Sequence, residues 1–131
     1  MTTAHGSFHW NELMTHDVAT AKAFYAETLG WTFEDMPMPG MEGVYTLIKS
    51  DGQMVGGMFP MSGPDFANVP DHWFTHLAVD DVDKRLELLR EAGGKVHREP
   101  WDIPGVGRLA VIEAPGGAMQ GWMTPSEGVG G

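Results

Sequence analysis

The chain contains no cysteine. That excludes disulfides and thiolate metal centres, and it gives no reason to place the protein in an oxidising compartment. Basic residues are scarce: eight Lys and Arg stand against eighteen Asp and Glu, a net charge of −10 at pH 7. Nucleic-acid binding needs a basic face, so that class falls away. The acidity would suit a cationic ligand, although acidity more often serves solubility. No apolar run approaches the length that a membrane helix requires. Met1 to Ser7 carry neither a basic stretch nor an apolar one, so the start does not read as a secretory signal. The expected location is the cytoplasm. Phosphate-binding glycine loops are missing, since GMEG and GVGR fall between expected strands rather than before helices. No serine sits in a Gly-x-Ser-x-Gly elbow either.

What the chain does have is an internal repeat. Shifted by about 64 positions, Trp10 to Phe33 lies on Phe74 to His97 without a gap, matching Leu13/Leu77, Asp17/Asp81, Val18/Val82, Glu27/Glu91 and Gly30/Gly94. Shifted by about 65, Pro39 to Met58 lies on Pro104 to Met123. That block matches Pro39/Pro104, Gly40/Gly105, Gly52/Gly117, Met54/Met119, Gly56/Gly121 and Met58/Met123. The matches fall on caps, turns and apolar positions, where a shared backbone needs them.

Each half reads as β-α-β-β-β, so the fold class is α+β. Phe8 to Thr15 is a short aromatic strand. Asp17 caps a helix over Val18 to Leu29, whose apolar stripe is Val18, Ala21, Phe24, Tyr25 and Leu29, and Gly30 ends it. Strands follow at Trp31 to Glu34, Val44 to Ile48 and Met54 to Phe59, with a turn at Ser50-Asp51-Gly52. In the second half Phe74 to Val79 is a strand. Asp81 caps a helix over Val82 to Ala92, stopped by Gly93-Gly94. Lys95 to Arg98, Leu109 to Ile112 and Ala118 to Met123 are strands. The expected organisation is one domain over 1–131: module 1 at 8–60, a linker at 61–71, module 2 at 72–123, and a frayed tail at 124–131.

The segment THDVATAKAFYAETLGW resembles the opening of vicinal oxygen chelate proteins, a superfamily holding glyoxalase I, extradiol dioxygenases and the fosfomycin and bleomycin resistance proteins. HLAVDDVDKRLELLREAGGKV and EAPGGAMQGWM resemble its second module, and DIPGVGR resembles a glyoxalase-like or hydroxylase-like subgroup. The resemblance spans Phe8 to Met123. It implies two tandem βαβββ modules whose sheets curve into a half-barrel around a cleft. In metal-dependent members four side chains line that cleft, on the first and last strand of each module. The matching positions here are Trp10, Gly56, Phe74 and Gly121, none of which ligates a metal through its side chain. No metal and no cofactor are therefore expected.

If Trp10 and Phe74 face the cleft, strand alternation puts Glu12 and His76 there too. These two are repeat mates and are expected to lie near each other across the pseudo-twofold axis. They are the candidate catalytic pair, since an imidazole titrates near neutral pH and a carboxylate orients it. The alternative is a buried hydrogen-bonded pair that only fixes the fold. Trp10 and Phe74 either stack on a ligand or fill the barrel. Gly56 and Gly121 either clear room for it or permit tight curvature. Met58 and Met123, at the glycines' parity, are expected to add an adaptable apolar lining. Arg108, on the Gly105–Gly107 hairpin tip beside Trp101 and Asp102, is a candidate for an anionic substrate; the alternative is a solvated loop arginine. His9, Asn11 and His97 read as solvated. Asp71 and His72 are adjacent but lack a third metal ligand.

These residues point to a small, partly aromatic or apolar organic ligand, with isomerase or lyase chemistry as one outcome. A sequestering protein similar to the bleomycin resistance proteins is the alternative, and a metal-dependent lyase or dioxygenase the third reading. A homodimer is expected, with Trp73, Trp101 and Trp122 as surface aromatics that it would bury.

Overall fold

A computed structural model of the chain describes residues 4–38 and 43–126. The elements run β1 (Phe8–Thr15), α1 (Val18–Leu29), β2 (Thr32–Pro37), β3 (Val44–Ser50), β4 (Gln53–Pro60), a short 3-10 turn (Pro64–Phe66), β5 (His72–Ala78), α2 (Val82–Glu91), β6 (Lys95–Ile103), β7 (Gly107–Glu113) and β8 (Met119–Pro125). This is β-α-β-β-β twice, as the repeat implies. The repeat pairs at Pro39 and Gly40 fall outside the described residues. Of the expected tail, residues 124 and 125 complete β8, and 127–131 lie outside the description.

The helices begin and end where local chemistry requires. The Asp17 carboxylate accepts the Thr20 backbone N–H at 3.0 Å and the Thr20 hydroxyl at 2.7 Å, satisfying a donor that the helix leaves orphaned. That backbone bond, and then the hydroxyl, hold the Asp17 carboxyl below its ordinary range. Gly30 takes φ 73° and returns its N–H to Ala26 O. Asp81 caps α2 in the same way, through Lys84 N at 3.2 Å.

The chain divides into two compact units. The first, Asn11–Phe74, has the strand order β2-β3-β4-β1, with β1 parallel to β4 and the other pairs antiparallel. The second, Met1–Trp10 with Thr75–Gly131, has the order β5-β8-β7-β6, with β5 parallel to β8. In each, the helix covers one sheet face.

In the first unit, Leu13, Ile48 and Met58 form the core under Val18, Ala21, Tyr25, Trp31 and Phe33. Two residues of the expected α1 stripe do not join it: Phe24 and Leu29 are each 57 % exposed. Phe24 lies on the helix flank, edge-on to Tyr25 at 4.9 Å, and Leu29 ends the last turn. α2 packs more deeply, burying Val82, Leu86 and Leu89 at i, i+4 and i+7 against Val79, Ala110 and Ile112. Trp122, expected as a surface aromatic, packs half-buried against that core and donates its indole N–H to Gln120.

The strand registers refine the repeat. In the first unit Glu12 pairs with Gly57, and in the second His76 pairs with Gly121. The structural mate of Gly121 is thus Gly57, not Gly56. The cause is a bulge in β4: Ile48 opposes Gly56 but Lys49 opposes Met54, leaving Val55 as an extra residue. β7 and β8 pair without such a shift. A one-residue slip exchanges sheet faces, so everything after the bulge reverses relative to the sequence match.

Candidate functional site

Gly56 and Met58 consequently sit on the α1 side of their sheet, not on the ligand side expected of them. Met58 is completely buried in the core, and a Cβ on Gly56 would meet the Asn11 carbonyl oxygen and the Ile48 side chain. Gly121 and Met123 keep the expected side, away from α2, because β8 carries no bulge.

On the face of the first unit away from α1, Glu12 stands opposite Gly57. The Tyr45 ring covers that glycine: a Cβ there would lie 2.0 Å from the phenol oxygen. From this position the Tyr45 hydroxyl donates to Glu12 Oε1 at 2.9 Å. Tyr45 escaped the sequence reading. The signal for it was parity, since Tyr45 is two residues from Leu47, the β3 partner of Gly57.

The second unit repeats the arrangement with one side chain fewer. His76, 7 % exposed, lies on its own partner glycine: a Cβ on Gly121 would come 2.0 Å from His76 Nδ1 and 2.5 Å from Cε1. The glycine therefore makes room for the imidazole. It does not leave a void for a ligand. His9, which reads as solvated from its sequence parity, is half-buried. Burial, and then the charge of His76, lower its pKa below the ordinary histidine value of 6.5.

Strand pairing extends this face into two rows. One runs His76, Gly121, Val111, Arg98 across β5, β8, β7 and β6. The next runs Ala78, Met123, Leu109, Trp101, of which the first three are buried. The Arg98 guanidinium stands 3.6 Å above the Trp101 ring centroid. Neither residue figured as a site candidate in the sequence.

Arg108, which did, is occupied. It forms a two-pronged pair with Asp83 at 2.7 and 3.1 Å and reaches Asp102 at 3.1 Å. Its hydrogen bonds to Asp83 and then Asp102 raise its already high pKa. Asp71 accepts the Thr15 hydroxyl and the His16 N–H, which depress its pKa, while His72 Nδ1 bonds Pro70 O. Both side chains are thus engaged locally.

Trp10 and Phe74 are half-buried on β1 and β5, and Phe74 meets the His72 ring at 6.3 Å between centroids. Trp10, Gly56, Phe74 and Gly121 hold the positions at which the family resemblance implies metal ligands, and their side chains do not fit a metal. Among the described residues, no three His, Asp or Glu side chains converge as a metal site. No helix among them is long and apolar enough to cross a membrane.

The family model of the Glyoxalase/Bleomycin resistance protein/Dioxygenase superfamily matches residues 7–119. CFP32 of Mycobacterium bovis, provisionally named a glyoxylase, is 37 % identical over 116 residues, covering 88 % of this chain and 44 % of that protein. The anthracycline biosynthesis protein DnrV of Streptomyces peucetius is 34 % identical over 126 residues, covering 88 % of this chain and 46 % of that protein. The chain thus spans less than half the length of these curated relatives. Among solved structures, methylmalonyl-CoA epimerase from Mycobacterium tuberculosis superposes with a TM-score of 0.66 at 15 % identity, over 96 % of this chain and 93 % of that one. A likeness at that identity speaks for the fold alone.

Proposed function

The chain belongs to the glyoxalase/bleomycin resistance protein/dioxygenase superfamily, and we propose that within it this protein binds a small, partly aromatic or apolar organic molecule on the sheet faces that carry Glu12 and His76. The observation that carries this reading is the second unit's pair of rows. A buried imidazole shares one sheet face with the buried Ala78, Met123 and Leu109 and with the half-buried Val111 and Trp101, a single polar group in an apolar setting. Ligand sites have that composition: mostly apolar walls and a few placed polar groups. The likeness to a protein of anthracycline biosynthesis supports a flat, partly aromatic ligand.

The imidazole of His76 and the carboxylate of Glu12, whose Oε1 accepts from the Tyr45 hydroxyl, are the acid–base groups of this reading. The chemistry this supports is a proton transfer of isomerase or lyase type, with no step through a metal. A second reading, sequestration without turnover, is favoured by the Tyr45–Glu12 bond itself, because it ties up the carboxylate in the protein alone.

Ligand-observed NMR against a set of flat aromatic compounds finds a binder. Its carbon-bound protons are then followed in heavy water with the parent protein, Glu12→Gln and His76→Ala. Exchange that needs both residues supports the acid–base reading. Binding with no exchange above the buffer rate supports sequestration, and no binder in the set counts against both. The expected homodimer remains a proposal. Trp73, 45 % exposed, and Phe24 are the aromatics it would cover, and light scattering after size exclusion tests it.

A further inference from the structure

We infer that Arg98, seated on Trp101, is the anchor for an anionic group of the ligand, so that the ligand class is an organic carboxylate or similar anion with a flat apolar body. The inference rests on the reading above, in which this face of the second unit holds a small molecule.

Three observations carry it. The first is charge. Arg85 pairs with Asp80, Arg90 with Glu99, and Arg108 with Asp83 and Asp102. Arg98 has no carboxylate partner among the described residues; its contact is with the Trp101 face. In a chain of net charge −10, one arginine is kept out of the ion pairs that absorb the other three.

The second is backbone. Val96 opposes Ile112, Arg98 opposes Val111, and Trp101 opposes Leu109, so two irregularities bracket Arg98 in β6. In a regular strand Val96 and Arg98 would share a face, and Arg98 and Trp101 would not. Val96 packs on the α2 core, so a regular β6 would turn Arg98 toward the helix. Both bulges are needed to bring cation and ring to the side that carries His76. Re-aiming a side chain is what such bulges do, and they are over-represented beside active sites.

The third is position. Arg98 and His76 end the same row, with Gly121 and Val111 between them. Three strand spacings put their backbones about 14 Å apart, and the His76 imidazole leans over Gly121 toward that gap. The row between offers one glycine and one valine, and the adjacent row is apolar. A flat molecule held by its anionic end in the guanidinium fork has the half-buried Val111, the strand partner of Arg98, beside it for its apolar body. The aromatic ring under Arg98 holds the fork in one plane, which suits a two-pronged bond to a carboxylate.

The test uses 2-naphthoate and its uncharged analogue 2-naphthamide, titrated against the full chain and followed by the Trp101 indole N–H signal. The parent protein is expected to bind the carboxylate about tenfold more tightly than the amide. Arg98→Gln is expected to bind both with the affinity of the amide, and Arg98→Lys to recover only part of the preference. Because Arg98 is exposed, its melting temperature should be unchanged, which separates lost binding from lost folding. Equal affinity for the two probes in the parent protein overturns the anion anchor and leaves small-molecule binding standing. A preference that survives in Arg98→Gln overturns it as well, placing the anion elsewhere. If neither probe binds, the anchor and the reading it rests on both fail.

Discussion

The His76 imidazole occupies the space that a side chain at position 121 would need: a Cβ on Gly121 would stand 2.0 Å from Nδ1. Gly121 is therefore a seat for the catalytic candidate. Gly121→Ala is expected to push the ring off its seat, with a loss of about 1–3 kcal/mol in stability. His76→Ala should relieve the clash, so the double variant should lose less than the two single losses added together. Urea denaturation of the three variants measures this. Strict additivity would show that the ring moves aside freely.

Tyr45 and Gly57 make the matching prediction in the first unit. Gly57→Ala would place a Cβ 2.0 Å from the phenol oxygen and is expected to drive the ring from Glu12, again at about 1–3 kcal/mol. Tyr45→Phe keeps the ring and removes only the hydroxyl bond, at about 0.5–1.5 kcal/mol. Thermal melts of the pair should rank Gly57→Ala as the costlier change. The reverse order would place the weight on the hydroxyl bond.

His9 sets a pH dependence. Its pKa is lowered in the fold, chiefly by burial and then by the charge of His76. The folded state therefore binds fewer protons than the unfolded chain. This contribution is fully present above pH 6.5, the ordinary value, and is lost as pH falls toward the folded pKa. An NMR titration should show the His9 midpoint below 6.5, and His76→Asn should move it partly back up. A midpoint unaffected by that change would leave burial as the sole cause.

The two helices should respond differently to truncation. Leu86 is 1 % exposed at the centre of the α2 core, and Leu86→Ala is expected to cost about 2–5 kcal/mol. Phe24, 57 % exposed on α1, should cost less than about 1 kcal/mol when cut to alanine. Urea midpoints with unchanged slopes test both. A large loss at Phe24 would mean that α1 is covered in solution, as the dimer proposal requires.

Much of the fold was legible because its signals are local. Asp17, Asp81 and Gly30 act on backbone groups within one helical turn, so their roles could be read from residue type and spacing. The site was legible in part. Glu12 and His76 could be placed on equivalent rungs because β1 and β5 keep the gap-free offset. Gly56 and Met58 were placed on the wrong face because the matching glycines and methionines align at the other offset, which the Val55 bulge absorbs. Arg98 and Trp101 stayed hidden for the same reason, since their spacing in the sequence puts them on opposite sides of a regular strand.

The sequence by itself determined the two βαβββ units, their helix caps and the chemical types at the four implied ligand positions. Only the tertiary structure decided which side chains share a sheet face. A bulge exists only when a strand hydrogen-bonds to its partner, and that pairing links residues distant in the chain. No local propensity records where the extra residue will be accommodated. The choice of face, and with it the standing of Gly57, Tyr45, Arg98 and Trp101, was settled by strand register.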